Sequence, residues 1–283
     1  MGPWVSKGVQ PPLGNLYQEV SKVATIVYLP PRTLPYSAAF RANIAQFEIA
    51  YPIHFLSDSA DDKFAHQIAP PDKVGVNTIG RKPPWTISNY CFLKSLQLAV
   101  QKNLEWMLFL EADCRVNGDK WDAAIWNEFQ NFPAARMGGT PVCWSLNTGG
   151  RDLAMRIVDY AASYQKRAGI PMAIHGPHGN LGRAGPPCLY PNGAAAIYNV
   201  PLLARFFPDF TTDSYATRLT AWDMHIGHCM RDTFGDGVTE RIAGLTSVFS
   251  GYGDNVLTEP ERKEWLHSKR IVAVHQIKDS WTP

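Results

Sequence analysis

The chain has 283 residues, 45% of them apolar and 18% charged, enough for a substantial core and too apolar for a disordered chain. Lys and Arg total 27 against 25 Asp and Glu, a net charge of +2 that excludes a protein devoted to coating nucleic-acid phosphates. No segment approaches the roughly 18 apolar residues that span a bilayer, and Met1–Lys7 has no apolar signal core, so the expectation is a soluble, cytoplasmic protein.

Residues 1–20 read as an irregular leader marked by Pro and Gly. Val23–Leu29 is a β-branched apolar run stopped by Pro30 and Pro31, the pattern of a strand buried on both faces. A helix over 35–49 follows, opened by Pro35, with Phe40, Ile44 and Phe47 at three- and four-residue steps. Ile53–Leu56 is a second strand, closed by the turn Ser57-Asp58-Ser59. Ser88 or Asn89 is placed to cap a helix carrying Phe92, Leu93, Leu96, Ala99 and Val100 on one face. Trp106–Leu110 is an unbroken apolar strand. Residues 121–130 and 151–168 read as helices, 175–193 as a long irregular stretch, 194–198 and 271–274 as strands.

Strands alternating with helices predict an α/β fold with a mostly parallel central sheet flanked by helices and a more irregular second half. The expectation is one domain over 1–283, with a nucleotide-binding half at 23–116 and an acceptor-binding half at 117–283. Such sheets bind ligands at the carboxyl ends of their strands, which directs attention to Pro30, Asp58 and the residues after Leu110. The five cysteines are scattered without a C-x-x-C pair, the pattern of free thiols rather than a disulfide framework or zinc site.

Glu111-Ala112-Asp113 directly follows the third strand. Two carboxylates two residues apart suit a hard divalent cation that also holds phosphate oxygens, although acid-x-acid turns are common as plain solvated turns. Asp223, in Trp222-Asp223-Met224-His225-Ile226-Gly227-His228-Cys229, precedes a helical pattern and also suits a helix N-cap. His275 ends the last strand, where a packed core histidine is an equal reading.

Leu108–Asp113 resembles the strand and Asp-x-Asp motif of nucleotide-sugar glycosyltransferases with the GT-A fold, families 2 and 31 among them. Asp58 resembles their acid at the end of the second strand, and Pro30 the proline ending their first. Asn192–Tyr198 is similar to their glycine loop and strand beside the donor sugar, and Trp222–Cys229 to their acidic motif. Val274-His275 is similar to the late strand with a metal-binding histidine. This ordered resemblance spans residues 23–278, with two departures: Glu111 stands where Asp is usual, and Trp222 where an acid is usual.

The resemblance implies a metal-dependent, inverting transfer of a sugar from a UDP-sugar-type donor to a hydroxyl. It implies Asp223 as catalytic base, and Pro30, Arg32, Asp58, Asn89, Glu111, Ala112 and Gly193 as nucleotide-sugar contacts. Asp113 and His275 would be ligands of Mn²⁺ or Mg²⁺, a mixed carboxylate and imidazole set favouring Mn²⁺. Trp222 would stack on the acceptor and His225 touch it. The acceptor is left open between a glycan and a hydroxylated DNA base, the latter because Arg81-Lys82, Lys166-Arg167 and Lys269-Arg270 offer local phosphate contacts. The glycine-rich 175–185 stretch reads as a lid or a plain surface loop. The competing readings are a nucleotidyltransferase, for which Pro30–Thr33 offers no phosphate cradle, and a non-catalytic carbohydrate-binding module.

Overall fold

A computed structural model describes residues 22–29, 34–57, 65–67, 84–112, 114–144, 173–174, 188–212, 215–216, 219, 222–234, 239–249, 264 and 267–275. The elements are β1 (Val23–Leu29), α1 (Leu34–Ile44), β2 (Ile53–Ser57), β3 (His66–Gln67), α2 (Pro84–Gln101), β4 (Trp106–Glu111), β5 (Cys114–Val116) and α3 (Trp121–Gln130). They continue with β6 (Met137–Trp144), β7 (Ala173–Ile174), β8 (Cys188–Asn199), α4 (Val200–Phe206), α5 (Trp222–Phe234), β9 (Thr239–Arg241), β10 (Leu245–Phe249) and β11 (Ile271–His275).

The larger sheet runs β3-β2-β1-β4-β8-β6-β7, with β9 beside β6. The class is α/β as expected, but the sheet is mixed. β8 lies antiparallel between β4 and β6, while β1 pairs in parallel with β2 and β4. A second sheet, β10-β11-β5, holds β11 parallel to β10 and antiparallel to β5.

The apolar runs of β1 and β4 are explained by burial on both faces. Ala24, Ile26, Tyr28, Met107, Phe109, Ala196 and Tyr198 point to one core, covered by α2, α4 and α5. Val27, Leu108, Leu110, Ala195 and Ile197 point to the other, covered by α1 and α3. In the first core Phe92 is the hub: its ring stacks on Trp222 at 3.8 Å and 7°, and meets Phe109 and Tyr198 edge-on.

Three boundaries differ from the sequence reading. α1 stops at Ile44: the Ala45, Gln46 and Phe47 amides close its last turn on the Arg41, Asn43 and Ile44 carbonyls, and the amides after them bond to side chains from elsewhere in the chain. The Asp122 carboxylate accepts from the Ala50 and Tyr51 N–H groups, and Asp119 Oδ1 from Glu48 N–H. α2 starts at Pro84, so Ser88 and Asn89 lie inside it rather than capping it. The end of the stretch read as irregular, 188–193, is the first half of β8. The predicted helix over 151–168 and the 175–185 loop lie outside the described residues. No described helix is long and apolar enough to cross a membrane.

Candidate active site

Strand β4 ends at Glu111, beside Tyr28 in the β1 register. The pleat alternates side chains, so Glu111 leaves on the face that carries Met107 and Phe109, towards α2 and α5. Ala112 turns the other way and is buried in the opposite core, leaving its backbone as the part able to meet a ligand. Asp113 lies outside the described residues, as do Pro30, Arg32 and Asp58.

On the same face α5 begins, with Trp222 as its first residue and Asp223 in its first turn. A carboxylate there is stabilised by the amide end of the helix dipole. The start of α5 is fixed from another helix. Asn89 of α2 accepts the Trp222 N–H on Oδ1 at 2.8 Å and donates from Nδ2 to the Ala216 and Leu219 carbonyls at 3.2 and 3.0 Å. Trp222 Nε1–H donates to Ser88 Oγ at 3.0 Å. α2 thus sets both the position and the direction of the residue next to Asp223.

The charges of both carboxylates are felt at Tyr198 of β8. Burial first, then the charges of Asp223 and Glu111, hold its phenol well above the ordinary tyrosine range. Glu111 and Asp223, far apart in sequence, lie on one face of the sheet: Trp222, next to Asp223, packs edge-on against Phe109, two residues before Glu111. Both carboxylates are half-buried, so each side chain has one side towards solvent.

A second strand end reaches this region from the smaller sheet. Ala273 pairs with Cys114, the first residue of β5, and β11 runs antiparallel to β5, so His275 lies two residues further on, at the edge of the chain's entry into β5. Among the described residues no three His, Cys, Asp or Glu side chains group closely enough to hold a metal ion.

Several assignments change character on this geometry. Trp222 is 3% exposed, with one face covered by Phe92 and its edges set against Phe109 and Tyr198. It packs the first core and does not present a face to an acceptor ring. Asn89 is wholly buried and its amide is committed to three backbone groups, so it braces the site and does not touch the nucleotide sugar. Gly193 serves the same packing: a Cβ there would lie 2.6 Å from Trp222 Cζ2. His225 Nε2 is 2.9 Å from the Phe206 carbonyl, which can only accept, so that nitrogen carries the proton; Cys229 Sγ lies 3.5 Å from it. The ring is tilted against Phe207, and that nitrogen is turned towards α4.

Tyr198 was not singled out by sequence reasoning, which assigned it to a strand. A tyrosine facing the core beside three alanines and an isoleucine is the available signal, because a buried phenol must satisfy its hydroxyl.

No family model matches the chain, and no curated protein matches it. Among solved structures it is distantly similar to the apo crystal structure of mouse xyloside xylosyltransferase 1, at 12% identity and a TM-score of 0.45, over 90% of this chain and 98% of that one. It is also similar to the apo structure of WbbM, a bifunctional glycosyltransferase, at 12% identity and a TM-score of 0.42, over 89% of this chain and 45% of that one. The chain thus spans less than half the length of WbbM.

Proposed function

We propose that this chain is a metal-dependent glycosyltransferase that moves a sugar from a UDP-sugar-type donor to a hydroxyl acceptor with inversion. The observation that carries the reading is the placement of Glu111 at the carboxyl end of the central strand, on the face against which α5 packs with Asp223 in its first turn. Direct displacement requires a base within hydrogen-bond reach of the acceptor hydroxyl and stabilisation of the departing nucleoside diphosphate. Asp223 supplies the base, its ionised form favoured by the first turn of α5.

Asp113 and His275 are the residues that would hold Mn²⁺, with Glu111 at the same strand end. The approach of the end of β11 to the entry of β5 fits such a set. When bound, the ion neutralises charge on the diphosphate. Pro30, Arg32 and Asp58 are proposed to frame the nucleotide, and the backbone at Ala112 to approach the donor sugar. The acceptor is a hydroxyl on a glycan or on a hydroxylated nucleic-acid base.

The test is a panel of nucleotide sugars incubated with the protein and Mn²⁺, read by release of the nucleotide and by mass spectrometry of candidate acceptors. Release that depends on Mn²⁺ and is lost in Asp223→Asn supports the reading. A panel with no release, or an Asp223→Asn protein as active as the parent, overturns it.

A further inference from the structure

Asn43 is a buried polar residue on α1, in sequence between Phe40 and Ile44, which fill the second core. A buried amide costs stability unless its donor and acceptor are both matched. Here one residue of another element matches both. Asn43 Nδ2 donates to the Val116 carbonyl at 3.0 Å, and Asn43 Oδ1 accepts the Val116 N–H at 2.7 Å.

This pair of bonds is what a neighbouring strand would supply. β5 is the outer strand of the smaller sheet, with β11 on one edge, where Ile271 lies opposite Val116. The Asn43 amide closes the other edge at Val116. One residue further on, the β11 side holds the chain again. Asn117 N–H donates to the Arg270 carbonyl at 2.8 Å, and Asn117 Nδ2 to the Lys269 carbonyl at 2.8 Å. A strand of only three residues is thus clamped from both sides.

Resting on the proposed transfer reaction, we infer that Asn43 is a positioning residue for the metal ligands: it fixes β5, and so sets Asp113, which directly precedes Cys114, against the end of β11 that carries His275. The segment after α1 is fastened to the chain beyond β5 by separate bonds. Glu48 N–H donates to Asp119 Oδ1 at 2.9 Å, Lys120 N–H to the Glu48 carbonyl at 2.6 Å, and Tyr51 N–H to Asp122 Oδ2 at 2.7 Å. Those bonds hold α1 near α3, whereas the Asn43 amide acts on β5 itself. A slip of one residue along β11 would displace β5 by about 3.4 Å and turn its side chains over. Metal–ligand distances hold within about 0.2 Å, so the register of β5 governs whether the ligands meet.

Asn43→Ala removes both bonds. Mn²⁺ binding is measured without turnover, from the electron paramagnetic resonance signal of free Mn²⁺ titrated with the protein. The Kd is expected to rise about tenfold, as when a group that orients a ligand is lost. Ile44→Ala serves as the control, because it opens a cavity in the same core and keeps the amide pair. It is expected to lower Tm and leave the Mn²⁺ Kd unchanged. An unchanged Kd in Asn43→Ala, or an equal rise in Ile44→Ala, overturns the inference.

Hydrogen exchange examines the strand without metal. In Asn43→Ala the amides of residues 114, 115 and 117, flanking the one that Asn43 binds, should gain more in exchange rate than those of β1. Equal acceleration of both strands, or none, overturns the inference. A parent protein that binds no Mn²⁺ removes the metal from the transfer reading, while exchange still decides whether Asn43 fixes β5.

Discussion

Asn89 caps a helix to which it does not belong: its Oδ1 accepts the first N–H of α5, that of Trp222, at 2.8 Å. The same amide donates to two carbonyls of the segment leading into α5, so one side chain closes three backbone groups. Asn89→Ala is expected to destabilise the protein by about 3 kcal/mol, since buried groups lose their partners together. Asn89→Asp keeps the acceptor but sets an oxygen against two carbonyls, and is expected to melt at or below the alanine variant. Thermal denaturation of the three proteins checks the order.

The contact of Gly193 with Trp222 is a second lock on the same helix. Gly193→Ala is expected to cost about 1–3 kcal/mol, the range for forcing a methyl into a packed core. Trp222→Phe removes the part of the indole that this methyl would strike, so the double variant should lose less than the sum of the singles. Strict additivity in denaturant titrations would mean that the two residues do not meet.

Removing the metal provides a separate check on the chemistry. Excess chelator is expected to lower nucleotide release at least a hundredfold, with Mn²⁺ restoring it more fully than Mg²⁺, as mixed carboxylate and imidazole ligation favours. His275→Ala should raise the Mn²⁺ concentration needed for half-maximal release by about 10–100-fold. A chelator-insensitive enzyme would remove the ion from the mechanism.

Stability should fall as solutions are acidified, through a histidine pair at the other end of the sheet. His54 on β2 and His66 on β3 meet edge-on at 5.5 Å. Burial first, then the neighbouring cationic groups including Lys102, holds both below the ordinary imidazole range. The unfolded chain therefore takes up protons before the folded one does. The stabilisation they give as neutral rings is present above the ordinary value of 6.5 and is lost as pH drops through the lowered folded values. His54→Gln should flatten the decline in Tm between about pH 7 and pH 5; an unchanged slope would count against the pair.

The elements that fill both cores were legible because their pattern is their burial. β1 and β4 are largely apolar runs, and α3 begins and ends as its periodicity indicates. β6 and the first half of β8 were hidden, for they pair through Gly138, Gly139, Pro141 and Pro191, residues that ordinarily announce loops. Here neighbours occupy the missing side-chain space, as Pro191 does against Gly139. Asp223 and Glu111 could be named from their motifs, and the fold sets both on the face of the sheet covered by α2 and α5. Trp222 and Asn89 could not be assigned so simply. Whether a tryptophan or an asparagine beside a reactive group faces ligand or core depends on partners in α2 that one-dimensional spacing does not reveal.

The antiparallel insertion of β8 has a consequence for how the protein acquires its chemistry. β1, β2 and β4 are assembled from one contiguous stretch of chain, whereas β8 must return from far downstream to dock Tyr198 against β4 and to bring α5 after it. Contacts between such distant segments close late and slowly. The pairing of the Glu111 face with the start of α5 is therefore a product of a long-range step, and a chain that has formed only its first strands has Glu111 in place without Asp223.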